Sequence, residues 1–322
     1  MTLRFPWRIV WIVSFLGFGA NPDPALGQSV ERGASPPSTR TACPQEIQIE
    51  GIRISFCALG QGPPVLFLHG LGGSWKDWEG ILPLLASRHE VLALDFPGFG
   101  GSEAPSMVYS IEGLTGIVES FLKERKLSSL TVVGHSMGAL VALNLAARPH
   151  SPVAALVICD AVGVGDKTEF LSYALTRKFI GPDSPFEPLG GALQGEFRAM
   201  IRDFVNRQNG KTSREFFESL PKIPFSEKPL LPMTPAVQLA ASIIDFDIRP
   251  KLPSIRQPTL ILWGLRDPVA PPSDAEFLHG QLPAATLFFF PGAGHSPMKE
   301  EPALFMQELN RFLQATASGS SK

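Results

Sequence analysis

The sequence predicts an α/β fold: a mostly parallel, doubly wound sheet, opened by an antiparallel hairpin and interrupted by a helical insert. Three observations lead there. Short apolar runs alternate with stretches of helical periodicity. The runs are continuous rather than polar–apolar, as strands covered on both faces require. The rhythm lapses once, over 163–249, and then resumes. The core is therefore assigned to 45–162 and 250–316, and the insert reads as a cap over the strand ends.

The elements follow in order. Arg4 and Arg8 precede IVWIVSFLGFGA, the turn-like NPDP and the small-residue run ALGQ. This is the pattern of a secretory signal peptide over 1–27, cleaved near Gly27. The apolar run is shorter than the roughly 20 residues of a membrane span, so no stable span is expected after processing. Export to the periplasm or outside the cell follows; an uncleaved N-terminal anchor is the alternative. Residues 28–44, Pro/Ser-rich, read as a flexible lead-in. QEIQIEGIRISFCAL alternates about a turn at Glu50–Gly51, the pattern of a β-hairpin. That hairpin brings Cys43 nearly opposite Cys57, a possible disulfide in an oxidising compartment. The other reading leaves Cys43 unpaired in the lead-in. Cys159 reads as a small buried hydrophobe.

Strands are predicted over 65–70, 90–98, 130–135, 153–160, 258–264 and 285–292. Helices are predicted over 75–87, 110–126 with Ser110 as N-cap, 137–148, 273–281 and 302–314. Within the insert, TEFLSYALTRKFI, ALQGEFRAMIRDFV, REFFESL and PAVQLAASIIDF have helical spacing.

Composition narrows the function. The chain has 322 residues, 44% hydrophobic and 18% charged, enough apolar content for a sizeable core. A net charge of −2 and the lack of a dense Lys/Arg block give no reason to expect a nucleic-acid partner. No His/Cys/carboxylate cluster has metal-ligand spacing, and no dinucleotide or P-loop signature sits in a suitable setting. No cofactor is expected.

The chemistry begins at GHSMG, 134–138, which fits G-x-S-x-G between an apolar strand and an apolar helix. A tight strand-to-helix turn lifts the Ser136 hydroxyl clear of the sheet, and side chains at Gly134 or Gly138 would collide with neighbouring elements. A serine needs a base. Of the six histidines, His295 lies in the glycine-rich loop PGAGHSP after a strand and can reach across the sheet. His135 adjoins the serine but points elsewhere and reads as packing. His69 reads as shaping a loop, and His89, His150 and His279 as solvated. The imidazole needs an acid. Asp267 follows a strand at the edge where Ser136 emerges; Asp160, also at a strand end, is the rival. The order Ser136, Asp267, His295 is nucleophile, acid, base. HGLGG, 69–73, offers close backbone approach at Gly70 and an amide at Leu71; Met137 supplies a second amide for a developing oxyanion.

GIRISFCALGQGPPVLFLHGLGG, DFPGFGGS (95–102), GHSMGA, PTLILWGLRDPVAP and GAGHSP, in this order, resemble the α/β-hydrolase superfamily, in its branch with a helical cap. The resemblance runs from about Glu46 to Leu313. It implies Ser136, Asp267 and His295 as a triad, with the Leu71 and Met137 amides as oxyanion hole. DFPGFGGS resembles a loop that supports the nucleophile's surroundings. Ala139 stands where many relatives have a third glycine. Dehalogenases and epoxide hydrolases of this fold carry aspartate at the elbow and are excluded by Ser136.

The expected function is a secreted serine hydrolase of carboxylic esters acting on an uncharged, partly apolar small molecule; the insert's phenylalanines from Phe170 to Phe225 either line an apolar pocket or form the insert's own core. The rivals are a C–C bond hydrolase of ring-cleavage diketones, a lipase, a thioesterase or an acyltransferase. A non-catalytic binding module is the reading from another class.

Overall fold

The computed structural model describes residues 43–165, 167, 170 and 233–319. The stretch expected to be a signal peptide, nearly all of the expected lead-in and most of the expected insert, including its phenylalanines after Phe170, lie outside the described residues.

β1 (Gln45–Ile49) and β2 (Ile52–Leu59) form an antiparallel hairpin in which Gln45 pairs with Phe56 and Ile49 with Ile52. Its turn residues, Glu50 and Gly51, both have positive φ, 51° and 80°. A two-residue turn of that hand matches the twist of the strands. Just before the hairpin, Cys43 is joined to Cys57 by a disulfide, with the Cα atoms 4.7 Å apart.

The remaining strands are β3 (Pro64–Leu68), β4 (Glu90–Leu94), β5 (Leu130–His135), β6 (Val153–Cys159), β7 (Thr259–Gly264) and β8 (Ala285–Phe290). The sheet order is β1-β2-β4-β3-β5-β6-β7-β8; β2 joins β4 antiparallel, and β4 to β8 run parallel. Burial explains the sequence pattern. β1 alternates between half-buried and exposed positions, whereas every residue of β7 is buried. Along β3, Leu66 and Leu68 join one core cluster while Val65 and Phe67 join another. Successive side chains of a strand point to opposite faces, so a sheet covered on both sides needs apolar residues throughout.

Helix α1 (Leu82–Leu85) is preceded by a 3-10 turn, Trp75–Trp78. The continuous helix expected over 75–87 is thus replaced by two short pieces. Gly80 lies between them, and Pro83 cannot donate to the preceding turn. The apolar set is buried all the same: Trp78, Ile81, Leu82 and Leu85. α2 (Ile111–Glu124) starts at Ser110, whose Oγ accepts the Gly113 N–H at 3.0 Å. α3 (Met137–Ala146) is buried at all of its positions, which its apolar sequence permits. Its one polar side chain, Asn144, donates to Glu112 and Thr115 and accepts from Lys251.

α4 (Pro235–Asp245) falls within the stretch assigned to the insert, yet Leu239, Ala240 and Ile243 belong to the main core cluster. Ser242 Oγ accepts the Ile111 N–H at 2.9 Å, and Gln238 Oε1 accepts the Tyr109 N–H at 3.2 Å. The end of that stretch therefore packs on the entry to α2. A 3-10 turn, Arg249–Ser254, leads to β7. α5 (Pro272–Gln281), α6 (Pro297–Glu300) and α7 (Pro302–Gly319) complete the chain. Among the described residues no helix is long and apolar enough to cross a membrane.

Candidate active site

Ser136 stands between β5 and α3 with φ 54° and ψ −118°. A non-glycine residue held there costs of order 1–3 kcal/mol, which the surrounding packing must supply. The flanking glycines give that packing its closeness. A Cβ at Gly134 would lie 2.5 Å from the Gly138 carbonyl oxygen and 2.6 Å from Ala139 Cα. One at Gly138 would lie 2.3 Å from the Leu68 carbonyl oxygen and 2.6 Å from that of His69. No larger side chain fits at either position without moving backbone. The methyl of Ala139 is accommodated and fully buried.

The parallel strands deliver the other groups to the same edge. Asp267 follows β7; its Oδ1 accepts the N–H groups of Val269 at 2.7 Å and Ala270 at 3.1 Å. Its Oδ2 accepts from His295 Nδ1 at 2.7 Å. His295 follows β8, and its Nε2 lies 3.0 Å from Ser136 Oγ. A carboxylate only accepts, so the proton sits on Nδ1 and the lone pair of Nε2 faces the serine hydroxyl. Trp263 Nε1–H donates to the Ala270 carbonyl at 3.0 Å and anchors the far side of the aspartate turn. The structure thus brings Ser136, Asp267 and His295 together, and it is Asp267 rather than Asp160 that meets the imidazole.

The backbone after β3 lies against the serine: a Cβ on Gly70 would be 3.1 Å from Ser136 Cβ. Leu71 follows at once. Met137 opens α3, where the first amides have no acceptor within the helix. His69 is fully buried. Its Nε2 accepts the Phe96 N–H at 3.0 Å and its Nδ1 donates to the Gly70 carbonyl at 2.7 Å, so both ring nitrogens brace the loop. Burial, foremost, keeps its imidazole more acidic than usual and therefore neutral.

Several positioning residues leave no local mark in the sequence. Asp95 directly follows β4 and accepts the Trp75 N–H at 2.6 Å through Oδ1 and the Gly101 N–H at 2.8 Å through Oδ2. It ties the 69–75 loop to the 95–102 loop. Glu300, on α6, accepts the N–H groups of Gly294 at 2.8 Å and Ser296 at 2.9 Å, on either side of His295. Glu301 accepts the Gly292 N–H at 2.8 Å. His135 does more than pack: its Nε2–H donates to the His295 carbonyl at 2.6 Å. Burial, then the neighbouring His295, push its pKa down to about 3, so it holds the base loop as a neutral donor.

Among the described residues, one group of carboxylate and imidazole atoms is close enough to surround an ion: Asp160, Asp267 and His295. The Asp267 oxygens and His295 Nδ1 are already committed to hydrogen bonds. Asp267 and His295 are a hydrogen-bonded pair rather than part of an open ligand set.

A strained serine between β5 and α3, an aspartate after β7 and a histidine after β8 sit on a mostly parallel sheet, the architecture expected of the α/β-hydrolase superfamily. The chain belongs to the alpha/beta hydrolase fold family, whose model matches residues 63–302. It is similar to the pimeloyl-(acyl-carrier protein) methyl ester esterase of Aeromonas hydrophila, 28% identical over 272 residues, 81% of this chain and 99% of that one. It is 26% identical over 300 residues to an uncharacterized protein of Mycobacterium tuberculosis, covering 86% of this chain and 84% of that one. A solved membrane phospholipase A, 26% identical, matches with a TM-score of 0.61 over 85% of this chain and 86% of that one.

Proposed function

We propose that the chain is an exported serine hydrolase that cleaves carboxylic esters. The carrying observation is His295, set between Asp267 at 2.7 Å and Ser136 at 3.0 Å with its tautomer fixed by the aspartate. In this reading Ser136 Oγ attacks the ester carbonyl carbon while its proton passes to His295 Nε2. The carbonyl oxygen takes the negative charge and is met by the amides of Leu71 and Met137, each such donor being worth about 3 kcal/mol in the transition state. The C–O bond to the alcohol then breaks, and Nε2–H protonates the departing oxygen. Water, deprotonated by the same nitrogen, attacks the acyl-enzyme; the carboxylic acid leaves and Ser136 recovers its proton. Similarity to a methyl ester esterase supports the ester as substrate. The basic and apolar N-terminus, with the Cys43–Cys57 disulfide, supports export to an oxidising compartment. An uncharged, partly apolar small molecule remains the substrate class.

A series of p-nitrophenyl esters of increasing acyl length tests this. Turnover with a clear optimum in chain length is expected, and Ser136→Ala should lower kcat by about 10⁴-fold or more. Turnover of a vinylogous diketone with no ester cleaved would assign the chain to C–C bond hydrolysis instead.

A further inference from the structure

Asp160 directly follows β6 and has no part in the chemistry above, yet it is a fully buried acid beside the triad. One oxygen each of Asp160 and Asp267 and one nitrogen of His295 lie within 4.8 Å of one another. Asp160 Oδ1 accepts the Gly264 N–H at 2.8 Å. Its Oδ2 is buried with no donor among the described residues. Two carboxylates this close and this dry cannot both stay ionised. The donors decide which one keeps the charge. Asp267 accepts from Val269, Ala270 and His295, whereas Asp160 accepts from Gly264 alone.

We propose that Asp160 is a neutral carboxylic acid whose Oδ2–H donates to the Asp267 carboxylate, making it a positioning residue for the triad acid. The proton turns an orphaned buried oxygen into a satisfied donor and gives Asp267 one more hydrogen bond. Burial first, then the charge of Asp267, push the Asp160 carboxyl well above the usual carboxylate range, which agrees with this arrangement. The groups facing Asp160 are Asp267 and His295 from the loops after β7 and β8, Glu300 from α6, and Cys159 on its own strand, in register with His135 on β5. None of the first three offers a cation while His295 is neutral.

The test has one arm independent of activity, because the kinetic arms rest on the hydrolase reading. Infrared spectra of the full chain at about pH 8 should show a carboxylic-acid C=O band that vanishes in Asp160→Asn. In ester turnover, Asp160→Asn, which keeps a donor toward Asp267 and an acceptor for Gly264, should stay within about threefold of wild type. Asp160→Ala should lose about tenfold or more in kcat. The acid limb of kcat/KM should stay in place for Asp160→Asn and move to higher pH for Asp160→Ala, where the carboxylate next to the base has lost a donor. An absent acid band, a band that survives in Asp160→Asn, or equal losses in both variants would overturn the proposal. So would an acid limb moved down by about one unit in Asp160→Asn, the sign of a removed negative charge. If Asp160→Ala does not fold, the spectrum and the Asn profile still decide. If no ester is turned over, the hydrolase reading fails while the spectrum still answers for the proton.

Discussion

Around Ser136 the backbone itself does the positioning. Strand, turn and helix are continuous, and Gly134 and Gly138 exist because carbonyl oxygens pass within 2.5 Å and 2.3 Å of where a Cβ would stand. Around His295 side chains do it. Glu300 holds the amides on both sides of the histidine, Glu301 holds Gly292, and His135 holds the His295 carbonyl. A site held by sterics breaks with the fold. A site held by hydrogen bonds at a partly exposed loop can fail while the fold survives.

The largest effect should come from forcing a side chain into the elbow. Gly138→Val puts branched carbons against the ends of β3, and we expect it to cost more than ~4 kcal/mol and leave little folded protein, read by circular dichroism melts. A well-folded, fully active variant would break the contrast from the steric side. Glu300→Ala sits on the other side of it. Its carboxylate meets amides at an exposed loop, where water can replace it, so stability should change by about 1 kcal/mol or less. Activity should fall about 10- to 100-fold, because an imidazole displaced by a fraction of an ångström loses its alignment with the serine. A drop in melting temperature without a drop in kcat would reverse the assignment.

The smallest effect is a pH slope. His135 and His69 are held neutral in the folded protein, with pKa values below the ordinary 6.5. Their stabilising neutrality is therefore present above about pH 6.5 and lost as pH falls, since the unfolded chain takes up protons that the folded one refuses. Asp160 acts in the opposite sense, being protonated when folded and ionised when unfolded. His135, held neutral down to about pH 3, contributes a fall in stability of about 1.4 kcal/mol per pH unit between about pH 6 and pH 4.5. Urea midpoints across that window should show the slope, and His135→Asn should flatten it.

The same contrast explains what the sequence made legible. The elbow is legible because sterics write glycines two residues either side of the serine. The hairpin and the buried strands are legible because burial on one face or two leaves opposite periodicities. The helix over 75–87 misleads because its apolar spacing is genuine, while Gly80 and Pro83 break the backbone that would carry it. Asp160 and Asp267 look alike in sequence since each ends a strand; only the carboxyl oxygen that faces His295 Nδ1 separates them. The work of His135 is invisible locally because its contact lies 160 residues away; that of Glu300 is a contact only four residues away, but nothing in its residue type marks it.

The most direct measurement is the intact mass of the protein after exposure to a fluorophosphonate. The account expects one adduct, mapped to the peptide holding Ser136, absent in Ser136→Ala and much slower to form in His295→Gln. An adduct that persists at full rate in Ser136→Ala, or no adduct on the folded wild-type protein, would contradict it.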